Sequence, residues 1–242
     1  MDATRTAYKS AADQLGVTVF QAHAERYDAW FDSARGRAIF ESEVRCLRRV
    51  SRDLPRPWLE VGVGTGRFAG ALGIDVGVDP SGQMVTRAAA RGGAVAQALG
   101  EALPFDDASF GAVFVVVTVC FAEDPAGLLR EARRVLAKGG GVVLGIVPAG
   151  SPWGRFYRHK AETGHAFYSA ARFFTPDELD RLGREAGLDR RGAASTLLQN
   201  PENKTLDVEP SRDGIHPGAG FVSLLFGEHL QSRAGGVRSE AP

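Results

Sequence analysis

The chain has 242 residues, of which 44% are hydrophobic, and its 29 Lys and Arg balance its 29 Asp and Glu to a net charge of zero. A chain of this length can bury most of its apolar surface in one domain. A net charge of zero gives no overall attraction to nucleic acid or to an anionic membrane. No apolar run reaches the length of a membrane span, and no apolar segment of a secretory signal is seen.

The two cysteines, Cys46 and Cys120, are too few for a disulfide framework and form no metal-binding pattern. Arginines between residues 35 and 56 alternate with acids, which favours a solvated helix face over a nucleic-acid site. We therefore expect a cytoplasmic protein, a monomer or a homodimer, with no metal and no nucleic-acid or membrane partner.

Residues 1–50 are predicted to form an N-terminal helical cap, and a cofactor-binding core is predicted over 57–147. Alternating strand and helix patterns in the core predict an α/β fold with a mostly parallel sheet and helices on both faces. The expected strands are 58–62, 74–78, 94–98, 112–119 and 141–147, and the expected helices are 66–72, 81–91 and 125–137.

The pattern changes after residue 147. Residues 149–174 are rich in aromatic and basic side chains without one period, so they form a separate segment after the fifth strand. Thr175 and Glu178 have the spacing of a capping box, so a helix should begin there and end at Ala186. Residues 175–228 should contain this helix and two strands, 188–198 and 219–226, joined by a polar loop, 199–218. A flexible tail is predicted at 231–242, and the whole chain, 1–242, as a single domain.

An apolar strand runs directly into three glycines at alternate positions, Gly62, Gly64 and Gly66, and a helical pattern follows. Glycine permits unusual dihedral angles and close approach of a ligand, and a helix N-terminus offers free amides. The motif predicts a nucleotide-type cofactor over the end of the first strand. Residues 64–69 also fit the G-x-G-x-x-A fingerprint of dinucleotide-binding proteins, which leaves an NAD(P)-dependent oxidoreductase open.

The context of the glycines favours a different ligand. Glu60 precedes the first glycine, and Asp79 ends the second strand, where its carboxylate could accept hydrogen bonds from two ribose hydroxyls. Leu103–Asp107 introduces the fourth strand, and its helix is followed by Lys138-Gly139-Gly140. This ordered set resembles the class I S-adenosylmethionine-dependent methyltransferases. It is most similar to the group that includes ubiquinone and menaquinone C-methyltransferases and many small-molecule methyltransferases.

The resemblance implies a Rossmann-like sheet of seven strands, the last antiparallel, and S-adenosylmethionine as cofactor. It implies that the glycines surround the methionine part, that Asp79 binds the ribose and that Tyr27 covers the cofactor. Many relatives have an acid in place of Leu99, so Glu101 or backbone groups would have to bind the adenine here. The cofactor-binding residues implied in this way are Tyr27, Glu60, Gly62, Gly64, Gly66, Asp79, Pro80, Met84, Leu99, Gly100, Glu101 and Val117.

The implied reaction is transfer of a methyl group by in-line displacement to a small or medium organic acceptor, with S-adenosylhomocysteine as product. Such a reaction depends on alignment and on exclusion of water more than on a large catalytic set. Aromatic residues at 27–31 and 149–174 lie where the resembled family has a lid over the acceptor. The resemblance therefore implies a lid insertion at 149–174, after the fifth strand, and a closed, partly apolar acceptor pocket. Where a general base is needed, the candidates are His165, His159 and Tyr168, with His23 as another. A non-catalytic S-adenosylmethionine-binding protein stays open as an alternative.

Overall fold

The computed structural model describes residues 15–229. Residues 1–14 of the predicted cap and the predicted tail at 231–242 lie outside the described residues. The helices are α1 (Leu15–Trp30), α2 (Ala34–Ser51), α3 (Arg67–Leu72), α4 (Gly82–Ala90), α5 (Pro125–Val135), α6 (Pro152–Glu162) and α7 (Pro176–Glu185). The strands are β1 (Trp58–Val61), β2 (Val76–Asp79), β3 (Ala94–Gln97), β4 (Phe110–Val116), β5 (Leu136–Ile146), β6 (Leu188–Thr196), β7 (Arg212–Asp213) and β8 (Phe221–Glu228).

The strands form one mixed sheet in the order β3-β2-β1-β4-β5-β8-β6-β7. Strands β1 to β5 pair in parallel, whereas β8 is antiparallel to both of its neighbours, β5 and β6. Helices α3, α4 and α5 connect β1 to β2, β2 to β3 and β4 to β5, so the architecture is a Rossmann-like α/β fold. The prediction of a mostly parallel sheet is confirmed. Successive strands are added outward from β1 to β3 on one side and from β4 to β5 on the other, so the strand order reverses between β1 and β4.

The prediction of seven strands is wrong, because the sheet has eight. The additional strand, β7, lies in the polar loop 199–218 and pairs with Ala194 and Ser195 at the edge of β6. The hydroxyl of Ser195 also donates to the carbonyl of Gly214 at 2.5 Å and accepts from the amide of His216 at 3.0 Å. These contacts join residues far apart in sequence, so no local pattern indicated them.

Two predicted boundaries also differ from the structure. The helix expected to reach residue 137 ends at Val135, and β5 begins directly at Leu136. The strand passes through Gly139 and Gly140, ahead of the expected start at residue 141, with Gly139 at φ +80° and a shift in pairing register near Phe110. Strand β4 ends at Val116, because Val117 takes φ +50° and a 3-10 turn, Val119–Phe121, follows.

The predicted helix start at Thr175 is confirmed. The Thr175 hydroxyl accepts from the Glu178 amide at 3.2 Å, and the Glu178 carboxylate accepts from the Thr175 amide at 2.8 Å. Helices α5 and α7 pack on one face of the sheet through side chains such as Leu129 and Leu179. Helices α2 and α6 cover the opposite face through Leu47 and Trp153. Within residues 15–229 no helix is long and apolar enough to cross a membrane.

Candidate functional site

A cleft of about 740 Å³, partly open to solvent, lies at the carboxyl ends of β1, β2 and β4. It contains the point where the strand order reverses, which is where open α/β sheets bind ligands. The lining residues are Val17, Phe20, Tyr27, Val61, Gly62, Gly64, Asp79, Pro80, Ser81, Met84, Leu99, Gly100, Glu101, Val116, Val117, Thr118, Phe121, Ala122 and Leu128.

Ten of the twelve residues predicted to bind the cofactor line this cleft, whereas Glu60 and Gly66 do not. Gly66 has φ +81° at the start of α3, and a Cβ there would lie 3.1 Å from the Cβ of Ala88. Its role in the structure is therefore to let the glycine loop pack closely against α4. Glu60 is 1% exposed, on the central strand β1.

The backbone of the glycine loop forms the floor of the cleft. Gly62 and Gly64 have φ of +74° and +53°, in the left-handed region that disfavours other residues. A Cβ on Gly62 would lie 2.3 Å from Cγ2 of Thr118, so this position has no space for a side chain. The Thr118 hydroxyl lies 3.3 Å from the Gly62 carbonyl, which links the ends of β1 and β4.

The carboxyl group of Asp79 lies at the edge of the cleft and is held by the backbone. Its Oδ2 accepts from the amide of Gly64 and its Oδ1 from the amide of Ser81, both at 2.9 Å. Burial raises the pKa of Asp79 to about 6, against the opposing effect of these two hydrogen bonds. Each carboxylate oxygen keeps a further lone pair, so Asp79 can accept from two hydroxyl groups of a ligand.

A second carboxyl group, that of Glu60, is buried near Asp79. Burial raises the pKa of Glu60 well above its ordinary value; the charge of Asp79 adds to this, and the Ala69 amide opposes it. Its Oε2 has no hydrogen-bond partner among the described residues. A neutral Glu60 avoids repulsion with the ionised form of Asp79, so the two carboxyl groups can be buried near each other. Glu60 does not form part of the cleft wall.

Helix α1 forms one wall of the cleft. The ring of Tyr27 lies 3.6 Å from where a Cβ on Gly64 would be, and Phe20 lines the same wall. The ring of Phe20 is 4.9 Å from that of Phe121 and stacks at 5.3 Å on that of Phe167. The N-terminal helix and the 149–174 segment therefore meet beside the cleft.

Ion pairs connect α1 to the glycine loop. The carboxylate of Asp28 accepts from Thr65 at 2.7 Å, Arg67 at 2.9 Å and Arg91 at 2.6 Å, while Arg67 also pairs with Asp32 at 2.8 Å. Burial of Asp28 acts to raise its pKa, but the hydrogen bonds from Arg67, Thr65 and Arg91 outweigh burial and lower it to about 2. Asp28 is thus ionised at any pH near neutrality and holds α1 over the cleft.

The turn after β3 closes the far end of the cleft. Leu99 and Ala102 form an isolated bridge, which turns Gly100 and Glu101 toward the cleft. A Cβ on Gly100 would lie 2.8 Å from Cγ1 of Val61, so the turn packs tightly on β1. Met84, also in the lining, is 1% exposed.

The structure does not bring the candidate bases to the cleft. His159 on α6 is 76% exposed and lies 3.7 Å from Glu162. His165 stacks on Tyr168 at 4.4 Å; burial lowers the pKa of His165, and burial raises that of Tyr168 to about 12. The ring of His23 lies 6.0 Å from that of Phe167. None of the described residues that line the cleft is a histidine.

Sequence reasoning missed several lining residues, among them Phe20, Ser81 and Thr118. A signal existed for two of them. Thr118 is the polar residue that interrupts the apolar run of the fourth strand, and Phe20 lies two helical turns before Tyr27, on the same face of α1. Ser81 caps α4 through its hydroxyl, which also donates to Gln21 at 2.8 Å.

A smaller cavity of about 280 Å³ shares Val117 with the cleft. Its walls are almost entirely apolar and come from the ends of β4 and β5 and from the 149–174 segment. Cys120 lines it, but burial raises the pKa of this thiol to about 12, so it is not a thiolate near neutrality. The lining residues are Val117, Val119, Cys120, Gly145, Ile146, Val147, Phe173 and Phe174.

Comparison with known proteins identifies the class to which this fold and cleft belong. A family model described as a methyltransferase domain matches residues 59–144. A crystal structure from Thermotoga maritima, of a SAM-dependent methyltransferase and possible histamine N-methyltransferase, superimposes with a TM-score of 0.79. It is 37% identical and covers 86% of this chain and 98% of that one. The chain belongs to the class I S-adenosylmethionine-dependent methyltransferases.

Two further relatives extend the comparison. An uncharacterised protein of Mycobacterium tuberculosis is 46% identical over 201 residues, which is 83% of this chain and 70% of that protein. An uncharacterised protein of Methanocaldococcus jannaschii is 36% identical over 209 residues, which is 86% of this chain and 98% of that protein.

Proposed function

We propose that this chain binds S-adenosylmethionine in the cleft and transfers its methyl group to a small or medium organic acceptor, with S-adenosylhomocysteine as the second product. The observation that carries the proposal is the carboxyl group of Asp79, held at the cleft edge by the amides of Gly64 and Ser81. Its free lone pairs suit the two neighbouring hydroxyls of a ribose.

The other lining residues fit the remaining parts of this cofactor. The exposed backbone at Gly62 and Gly64 suits the polar methionine part, and Pro80, Met84 and the turn at 99–101 suit a flat adenine ring. When bound, the cofactor supplies an electrophilic methyl group on a sulfonium. Tyr27 and Phe20 exclude water from that group and attract its positive charge, at about 0.5–2 kcal/mol per ring.

We infer that the acceptor approaches the methyl donor beside the smaller cavity, which by itself has space for little more than a water molecule. This cavity meets the cofactor cleft at Val117, which the family resemblance places close to the methyl group. Phe173 and Phe174 form its wall from the 149–174 segment, which supports the predicted lid. The T. maritima neighbour, as a possible histamine N-methyltransferase, favours nitrogen as the atom that is methylated. A neutral amine is already nucleophilic, so no base from the chain is required.

Isothermal titration of the full chain with S-adenosylhomocysteine, S-adenosylmethionine and NAD⁺ tests the proposal. We expect binding of the first two and none of NAD⁺. Binding of NAD⁺ alone would instead favour the oxidoreductase. Transfer of a labelled methyl group is then measured across amines, phenols and thiols, and tight binding without transfer to any of them would favour the non-catalytic alternative.

A further inference from the structure

Helix α1, which forms one wall of the cleft, is broken at His23. This residue has φ −124° and ψ 24°, outside the helical region, so the two parts of the helix meet at a bend. The break lies beside the 149–174 segment, since the ring of His23 is 6.0 Å from that of Phe167. We call residues 15–22, which precede the break, the entry segment.

The part of α1 after the break is tied to the body of the domain. Ala24 is buried, and the carboxylate of Asp28 accepts from Thr65, Arg67 and Arg91. The backbone carbonyl of Asp28 also accepts from Arg67 at 3.1 Å. Hydrogen bonds that involve charged groups therefore hold this part of the helix against the glycine loop.

The entry segment is held more weakly. It contains no charged side chain, so it can form no ion pair through a side chain. None of residues 17–22 is buried, although Val17 and Phe20 form part of the cleft wall. A segment with little buried surface and no ion pair belongs to the parts of a fold that open at low free energy.

Gln21 connects the entry segment to the part of the floor that holds Asp79. Its Oε1 accepts from the Ser81 hydroxyl at 2.8 Å and from the Gln83 amide at 3.2 Å. Ser81 is also the residue whose amide donates to Oδ1 of Asp79. If the entry segment moved away, it would break these two hydrogen bonds and uncover the cleft beside Asp79.

We propose that the entry segment is a gate for the methyl donor, with His23 as its hinge and Gln21 as the positioning residue that keeps it closed. A hinge needs only one residue to absorb a change in φ and ψ, and His23 is already outside the helical region. Opening moves Val17 and Phe20 away from the cleft. The identity of the ligand rests on the proposed function, whereas the motion is a property of the ligand-free chain.

Surface plasmon resonance of S-adenosylhomocysteine on the immobilised full chain measures the association and dissociation rates separately. A ligand that binds only the open form associates in proportion to the fraction of open protein. Gln21→Ala should therefore raise both rates roughly three- to tenfold, the effect of losing neutral hydrogen bonds, and keep the affinity within about threefold of the wild type. A purely structural role would raise the dissociation rate alone, so an unchanged association rate would overturn the inference.

Two matched variants sharpen this test. Gln21→Glu keeps an oxygen that can accept from Ser81 and Gln83, so both rates should stay within about twofold of the wild type. Glu25 lies after the break, and its exposed carboxylate is 3.9 Å from Arg87 on α4. Glu25→Gln should leave both rates unchanged, because exposed ion pairs contribute little. Equal acceleration in Glu25→Gln would show that α1 moves as one body, and the hinge would be overturned.

Hydrogen–deuterium exchange of the ligand-free full chain tests the gate without the donor. Backbone amides of the entry segment should exchange faster than those of residues 24–30, and Gln21→Ala should accelerate exchange in the entry segment alone. Equal exchange along α1, or a variant that exchanges as the wild type does, would overturn the inference. The expected exchange pattern in a chain that fails to bind S-adenosylhomocysteine would support the gate and overturn the proposed function.

Discussion

The floor of the cleft and its cover are built in different ways. The floor consists of backbone: two left-handed glycines, Gly62 and Gly64, and the amides that hold Asp79. The cover consists of side chains from distant segments. Asp28, for example, forms an ion pair with Arg91, and Phe20 stacks on Phe167. The floor is therefore specified within a short stretch of sequence, whereas the cover exists only when the whole domain is folded.

This difference has a functional consequence. Backbone geometry in the floor tolerates few substitutions, so it suits the part of the reaction that does not change, which is binding of the methyl donor. Side-chain packing in the cover tolerates volume-conserving exchange, so it suits the part that can differ between related enzymes, which is binding of the acceptor. Substitutions in the floor should abolish donor binding, whereas substitutions in the cover should weaken it.

The largest effect is expected for Asp79→Ala. The variant loses the acceptor of two proposed ribose hydrogen bonds and the partner of the Gly64 amide. Hydrogen bonds to a charged group contribute about 1.5–3 kcal/mol each, so affinity for S-adenosylhomocysteine should fall at least about a hundredfold by isothermal titration.

Asp75→Asn is the control for this variant, because Asp75 lies at the opposite end of the same strand. Its carboxylate accepts from the Trp58 amide at 2.7 Å and from Arg56 at 2.8 Å, away from the cleft. The control should lose stability and keep its affinity. An Asp79→Ala protein that binds as tightly as the wild type would show that the ligand does not use this end of β2.

The same difference explains how much could be predicted from the sequence. The glycines and Asp79 were found because each follows a strand in a fixed local order, and the turn at 99–101 because the family resemblance implied it. The strand β7 and the arginines around Asp28 were not, because their contacts join residues separated by long stretches of chain.

A smaller effect is expected for Asp28→Asn. Its side chain is 14% exposed and pairs with Arg67 and Arg91, so the neutral amide should weaken the attachment of α1 without unfolding the domain. Because α1 places Tyr27 over Gly64, affinity for S-adenosylhomocysteine should fall roughly tenfold, the loss of about one charged hydrogen bond. Isothermal titration and a melting curve on the same sample measure the two effects separately.

Asp32→Asn is the matched control, since Asp32 pairs with the same Arg67 but is 66% exposed. Exposed ion pairs contribute little, so the control should bind within about twofold of the wild type. Equal losses in the two variants would mean that Arg67, and not the position of α1, determines the affinity.

The smallest effect is a dependence of donor affinity on pH. Burial raises the pKa of Asp79 to about 6, so in the ligand-free protein its ionisation costs folding free energy as pH rises through 6. The hydroxyl groups of a bound ligand lower the pKa of Asp79, because they donate hydrogen bonds to its ionised carboxylate. Affinity for S-adenosylhomocysteine should therefore weaken about fourfold between pH 7.5 and 5.5. Asp28, with a pKa of about 2, stays ionised throughout, so the attachment of α1 does not contribute to this pH dependence.

Isothermal titration at the two pH values measures the change in affinity, and Asp79→Asn should remove that change. A pH dependence that persists in this variant would assign the titration to another group.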